Sequence, residues 1–225
     1  MQQKFPLEFL EGHLFVTIDG ASFLIDTGAP TSFGSTRKIT IGGETFDLPS
    51  SYIGLNAEEL SDLTGVPTAG LLGADILNSF DVLIDVPGAT ITFSQEELSA
   101  GGDCLALESF MGIPIIEAKI AGETCRMFFD TGAKLSYFQG DSLASFPDAG
   151  NVTDFYPGFG RFETATHMVE MKMGLKTFTV RCGTLPGLLG MTLMMAGVNG
   201  IMGNETLHSV VCGYFPRREM IVLFQ

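Results

Sequence analysis

Positive charge is scarce in this chain: its 225 residues hold 12 Lys and Arg against 26 Asp and Glu, a formal net charge of −14. A field of that sign repels phosphate backbones and anionic headgroups, so nucleic acid is not an expected partner. Long apolar runs are missing too. The best candidate, 185–202, is interrupted by Pro186, Gly187, Gly190, Gly197, Asn199 and Gly200, short of the roughly 20 apolar residues a spanning helix needs. No membrane span is expected. The N-terminus, Met1-Gln2-Gln3-Lys4-Phe5-Pro6-Leu7-Glu8, has no apolar signal core, so a cytoplasmic location is expected, with secretion open if a signal peptide has been removed. Four cysteines, Cys104, Cys125, Cys182 and Cys212, form no C-x-x-C pair and are too dispersed for a disulfide scaffold. They read as free thiols of a reducing compartment, with one or two disulfides as the alternative. His13, His167 and His208 stand apart from Cys or acidic ligands at metal spacing, so none is expected to be a metal ligand.

What remains is an ordinary globular composition, 45% apolar with 28 Gly and mean hydropathy +0.30. The chain is written twice. Ala21-Ser22-Phe23-Leu24-Ile25-Asp26-Thr27-Gly28-Ala29 is echoed by Glu123-Thr124-Cys125-Arg126-Met127-Phe128-Phe129-Asp130-Thr131-Gly132-Ala133, each followed by Ser and an aromatic, Ser32-Phe33 and Ser136-Tyr137. A second pair follows in the same order, Gly70-Leu71-Leu72-Gly73-Ala74-Asp75 against Gly200-Ile201-Met202-Gly203-Asn204-Glu205. The offset is 104 between the two Asp-Thr-Gly motifs and 130 between Gly73 and Gly203, so the second copy holds 26 extra residues between its motifs.

Both copies consist of short apolar or alternating strands punctuated by Gly, with a brief helix after the second motif. Hairpins are predicted at Asp19-Gly20, at Gly42-Gly43, at Ala121-Gly122 and around Pro87-Gly88. The polar stretch 94–103 is the natural linker. The expectation is an all-β protein in two lobes, 1–100 carrying Asp26 and 101–225 carrying Asp130.

Duplicated lobes bring the two Asp-bearing loops face to face. Two carboxyls meeting among apolar strands cannot both ionise, so they share a proton, and one serves as base while the other serves as acid. At this point the residues resemble the pepsin-like and retropepsin-like aspartic proteases over nearly the whole chain. Asp26-Thr27-Gly28-Ala29 and Asp130-Thr131-Gly132-Ala133 look like the two active-site triplets, and Leu71-Leu72-Gly73 and Ile201-Met202-Gly203 look like the hydrophobic-hydrophobic-Gly motifs that accompany them. The small lobes and the Ala after each triplet resemble a compact fused retropepsin more than a digestive pepsin.

The resemblance implies an aspartic endopeptidase whose catalytic residues are Asp26 and Asp130, acting on a peptide or protein substrate as a monomer, without metal or cofactor; the alternative is a catalytically silent retropepsin-like peptide-binding module. It implies that Thr27 and Thr131 interlock the lobes, that Gly28 and Gly132 admit close backbone approach, and that Ala29 and Ala133, lacking a hydroxyl, leave the dyad less acidic than pepsin's. Activity is therefore expected at mildly acidic to neutral pH. The N-terminal strand near 5–9 and the C-terminal strand 220–224 are expected in a sheet shared by the lobes. The 26-residue excess, with Tyr156, Gly158, Phe159, Gly160 and Phe162, resembles a flap, and copy one is expected to be nearly bare of an equivalent. In that flap Gly158 and Gly160 form the bendable tip, and Phe159 and Phe162 press on the substrate. The Met-rich segment 188–195 is read as core, with an adaptable apolar wall as the alternative.

Overall fold

The computed structural model describes residues 1–157 and 159–224; the side chain of Asp141 is not described. Short strands rich in Phe, Ile, Leu and Val are joined by tight turns. Asp19 (φ 51°) with Gly20 (φ 80°) and Ala121 (φ 54°) with Gly122 (φ 84°) take the left-handed pair that a two-residue hairpin demands. The first turns the strand His13–Ile18 back onto Ala21–Ile25, and the second turns Ile113–Ile120 back onto Glu123–Phe129.

The outgoing strand of each pair runs into an Asp-Thr-Gly loop, and a second motif locks it from the side. Ala21–Ile25 pairs in parallel with Gly70–Leu72, which pairs antiparallel with Phe33–Gly34. Glu123–Phe129 pairs in parallel with Gly200–Met202, which pairs antiparallel with Ser136–Phe138. Among the described residues these arrangements belong to a ten-stranded and an eight-stranded sheet. The architecture is all-β and two-lobed.

Part of the larger sheet is shared between the halves of the chain. Its order there is Asp103–Ala106, Met220–Phe224, Val211–Phe215, Asp81–Asp85, Thr90–Ser94 and Gln2–Leu10. The N-terminal and C-terminal strands thus both run in it. Asp81, with none of its surface exposed, anchors this seam by pairing with Arg217 at 2.9 Å and with Arg218, whose guanidinium lies 4.2 Å from the Phe215 ring centroid. One large apolar cluster spans both halves, from Phe5 to Leu223. Each lobe adds an outer cluster, Phe15, Leu24, Phe33, Leu55, Leu60 and Leu71 in the first and Ile115, Tyr137, Leu185, Leu189, Leu193 and Ile201 in the second. The four cysteines are free thiols: Cys104 is exposed and the other three are buried, with burial pushing Cys182 and Cys212 up to about 12.

Two helices precede the second motifs, one per lobe. Ala57–Thr64 begins at Asn56, whose side chain accepts from the N–H groups of Glu58 and Glu59 while Glu59 reaches back to the Asn56 N–H. Gly187–Ala196 has no side-chain cap and is apolar on every face. Only one side of it is buried, through Leu189, Leu193 and Ala196. The core reading of the methionines fails here, since Met191, Met194 and Met195 are exposed, Met195 at 82%. An apolar stretch without periodicity gives no clue to which side faces inward.

The 26-residue excess forms a long hairpin, Asp148–Tyr156 paired with Gly160–Met173. The first lobe is not bare, contrary to expectation. It projects a small hairpin, Ser51–Tyr52 with Leu55–Asn56, turning at Ile53 and Gly54. Its turn carries Ile53 at φ 44°, a conformation a β-branched residue rarely adopts, so the sequence signalled no turn there.

Candidate active site

The two Asp-Thr-Gly loops meet at the floor of a cleft between the lobes. Asp26 N–H donates to the Leu72 carbonyl at 3.0 Å and Asp130 N–H to the Met202 carbonyl at 2.9 Å, so each second motif fixes the main chain of its Asp. Ser32 Oγ accepts from the Gly73 N–H at 2.8 Å, and Ser136 Oγ accepts from the Gly203 N–H at 3.1 Å. These two matched pairs of bonds make each loop rigid before any contact across the cleft is counted.

Across the cleft the threonines interlock. Thr27 Oγ1 donates to the Phe129 carbonyl at 2.5 Å and accepts from the Thr131 N–H at 3.0 Å. Thr131 Oγ1 donates to the Ile25 carbonyl at 2.9 Å and accepts from the Thr27 N–H at 3.0 Å. Both threonines are wholly buried, and every hydroxyl in the exchange both gives and receives. Gly28 and Gly132 sit against the opposite carboxyls: a Cβ at Gly28 would overlap the Asp130 carboxyl, and one at Gly132 would overlap that of Asp26. Glycine is required at both places by space.

The carboxyls of Asp26 and Asp130 lie within hydrogen-bond reach of each other. Ala29 N–H donates to Asp26 Oδ1 at 2.9 Å, while Gly132 and Ala133 N–H donate to Asp130 Oδ1 at 2.9 and 3.1 Å. Those donors favour the ionised form, but desolvation by the surrounding protein outweighs them. Asp26 is held well above the usual carboxylate range by desolvation, by the Asp130 charge and by the bond between the two side chains. Desolvation also raises Asp130, with the Asp154 carboxylate adding to it. The pair therefore keeps a proton at pH values where isolated carboxyls have lost theirs.

Above this floor the cleft is lined by both lobes. Tyr156 and Phe162 of the long hairpin line it, as do Tyr52, Ile53 and Leu55 of the small one. Tyr156, Pro157 and Gly160 share an adjoining recess with Ile53, Gly54 and Asp62, where the tips of the two hairpins come together. Arg161 Nη2 donates to the Asp62 carbonyl at 3.1 Å, joining the long hairpin to the first-lobe helix. Phe159 is not part of the lining; 41% exposed, it packs edge-on against Phe162 with centroids 6.1 Å apart. Gly158 lies outside the described residues.

The lining also includes Phe33 and Tyr137, the aromatics that follow the two triplets, and His13, Pro30, Ile113, Lys134 and Asp154, which the sequence gave no reason to choose. Asp154 is 5% exposed and accepts from the Tyr137 hydroxyl and from the Phe155 N–H at 2.9 Å, with Lys134 Nζ 3.6 Å away. Burial and the Asp154 carboxylate push the Tyr137 phenol upward, so it remains a donor. Lys134 stands two residues after the second triplet, the one local signal available, but its partner is brought up by the folding of the long hairpin.

No protein-family model matches the chain, and no curated protein matches it by sequence. Among solved structures it is similar to the aspartic proteinase from Irpex lacteus, with TM-score 0.55 and 12% identity, covering 100% of this chain and 97% of that one. It is also similar to basic 7S globulin from soybean, with TM-score 0.53 and 9% identity, covering 99% of this chain and 94% of that one. One of these is named a proteinase and the other a globulin, so the frame alone does not carry an activity. What the likeness shows is the fold: an all-β, two-lobed, pepsin-like architecture.

Proposed function

We propose that the protein is an aspartic endopeptidase, hydrolysing peptide bonds with a water molecule activated between Asp26 and Asp130. The observation that supports this reading is the pair of buried carboxyls, delivered by matched loops, each lodged against the opposite loop's glycine and raised above the usual carboxylate range, beneath a cleft lined by both hairpins. In this reading residues 1–100 supply one lobe and 101–225 the other, so one chain brings both carboxyls and a monomer suffices.

The chemistry follows from the shared proton. The ionised carboxyl takes a proton from water as its oxygen attacks the scissile carbonyl, and the protonated carboxyl donates to the carbonyl oxygen as charge develops there. Collapse of the tetrahedral intermediate then passes a proton to the leaving amine. The products are an acid and an amine, and the reaction balances with water alone. Thr27, Thr131, Gly28 and Gly132 hold the two carboxyls in register, and the N–H groups of Ala29 and Ala133 orient them. An extended peptide lying between the floor and the hairpins would be gripped through its main chain and read through its side chains.

Incubation with a mixture of denatured proteins from about pH 3 to about pH 8, with the new termini sequenced, tests the reading. The wild type is expected to generate termini that Asp26→Asn and Asp130→Asn do not. Peptide binding by all three proteins without new termini would leave a peptide-binding module in place of an enzyme.

A further inference from the structure

The matched positions around the two triplets differ in one consistent way. Pro30 after the first triplet corresponds to Lys134 after the second, and Phe33 corresponds to Tyr137. The turns Glu11-Gly12 and Met111-Gly112, with the same pairs of positive φ angles, lead into His13 and Ile113. All six of these residues line the cleft. Three of them, Pro30, Phe33 and Ile113, have side chains with no hydrogen-bonding group. The other three gather beside Asp130, where Gly12 packs against the Lys134 side chain and His13 Nδ1 lies 2.9 Å from the Gly132 carbonyl oxygen.

The hydrogen-bonding capacity left over on that side is specific. A carbonyl oxygen only accepts, so His13 Nδ1 carries the hydrogen and Nε2 is left as a bare acceptor, with no donor to it among the described residues. Burial holds the His13 imidazole below its ordinary value of 6.5 and so keeps it in this neutral form. Lys134 Nζ donates one of its three N–H groups to the Thr153 carbonyl at 3.2 Å and is paired in charge with Asp154 Oδ1, 3.6 Å away and beyond hydrogen-bond distance. At least one donor remains. The corner therefore offers one free acceptor and one free donor.

Charge then selects among polar ligands. Lys134 is already balanced by Asp154, and the dyad with one shared proton carries a net negative charge close by. An incoming carboxylate would meet that charge, and an incoming ammonium would have to displace Lys134 from Asp154. A neutral group with both a carbonyl and an N–H fits without either cost. We propose that Lys134 and His13 form a subsite beside Asp130 that selects a substrate residue with a carboxamide side chain, Gln or Asn, while the matching side of the cleft, at Pro30, Phe33 and Ile113, takes an apolar one. Substrates would then be cut between unlike neighbours. This subsite rests on the peptidase reading.

The test is a peptide set in which each position flanking the scissile bond carries Leu, Gln or Glu in turn. At one position on one side of the cut, kcat/KM for Gln should exceed that for Leu and for Glu by at least about tenfold, a modest share of what a hydrogen-bonding subsite can supply. Lys134→Met and His13→Phe should each bring the Gln-to-Leu ratio close to one, with thermal unfolding confirming that the variants fold. A wild type that cleaves with Leu equal to or better than Gln at every position overturns the subsite and leaves the peptidase reading standing, and this outcome needs no variant. A ratio unchanged in both folded variants also overturns it. If the wild type cleaves none of the peptides, the peptidase reading fails, and calorimetric binding of the Gln and Leu peptides decides the subsite on its own: tighter Gln binding that is lost in Lys134→Met upholds it, and equal binding removes it.

Discussion

The two Asp-Thr-Gly loops are alike on the inside and unlike on the outside. Toward the dyad they make matched bonds: Asp N–H to the second motif, the Gly73 or Gly203 N–H to a Ser Oγ, and a threonine hydroxyl to the opposite main chain. Toward the cleft they present Pro30 and Phe33 on one side and Lys134 and Tyr137 on the other. Holding two carboxyls face to face, where both cannot ionise, requires that both loops be fixed, which the inner bonds provide. An asymmetric peptide chain has no such requirement, and the outer positions are free to differ.

The largest expected effect tests the equivalence of the inner parts. Asp26→Asn and Asp130→Asn should each lower kcat by at least about 10²- to 10⁴-fold, because either amide removes the proton-sharing pair. A variant that keeps wild-type turnover would show that only one loop carries the chemistry. The same substitutions should alter stability in the opposite sense. Desolvation raises both carboxyls in the folded state, so the folded protein retains a proton that the unfolded chain releases above about 3.8. The wild type therefore loses stability as pH rises through the raised values, while an amide variant does not. Urea unfolding should find Asp26→Asn more stable than wild type at neutral pH, with the advantage shrinking toward pH 3.8; a pH-independent difference would mean that the dyad is not desolvated.

The seam between the lobes offers a second contrast. Asp81 precedes Val82 in the first copy, where the second has Val211 before Cys212, and only the first position carries a charge. Asp81→Asn would leave Arg217 and Arg218 facing a neutral group in a largely buried place. The loss should be about 3 kcal/mol in urea unfolding, the low end of the range for a broken buried pair, since both guanidiniums keep some contact with water. A loss below about 1 kcal/mol would assign the seam to strand pairing and apolar contact alone.

Much of this comparison was legible in the sequence. Paired Asp-Thr-Gly-Ala and hydrophobic-hydrophobic-Gly motifs in one order announced the duplicated frame, since each motif is short-range and its residues must be adjacent to act. The orientation of Met191, Met194 and Met195 was not legible, because a segment apolar on all faces has no periodicity to read. His13, Lys134 and Asp154 come from three separate parts of the chain. Their assembly depends on how the Glu11-Gly12 turn and the long hairpin pack against the second loop, which no local pattern encodes. Phe159 was chosen for its aromatic ring and lies outside the cleft lining, while Phe162, chosen by the same reasoning, lies within it.

The smallest expected effect concerns the roof, where the second lobe provides the long hairpin and the first only a four-residue pair with a two-residue turn. If closure over the substrate excludes water from the dyad, both tips should contribute, in proportion to what each places over the cleft. Phe162→Ala removes a ring that lines the cleft and should lower kcat/KM about tenfold, equivalent to about 1.4 kcal/mol of transition-state binding. Ile53→Ser removes a side chain that lines the cleft yet is 58% exposed, and should cost about threefold, or about 0.7 kcal/mol. The double variant decides between two flaps and one. Independent tips would give the product of the single effects, whereas tips that close as one unit through the recess they share would give a smaller combined loss, because breaking either already opens the roof. Full activity in Ile53→Ser, with the whole loss in Phe162→Ala, would return the roof to the second lobe alone.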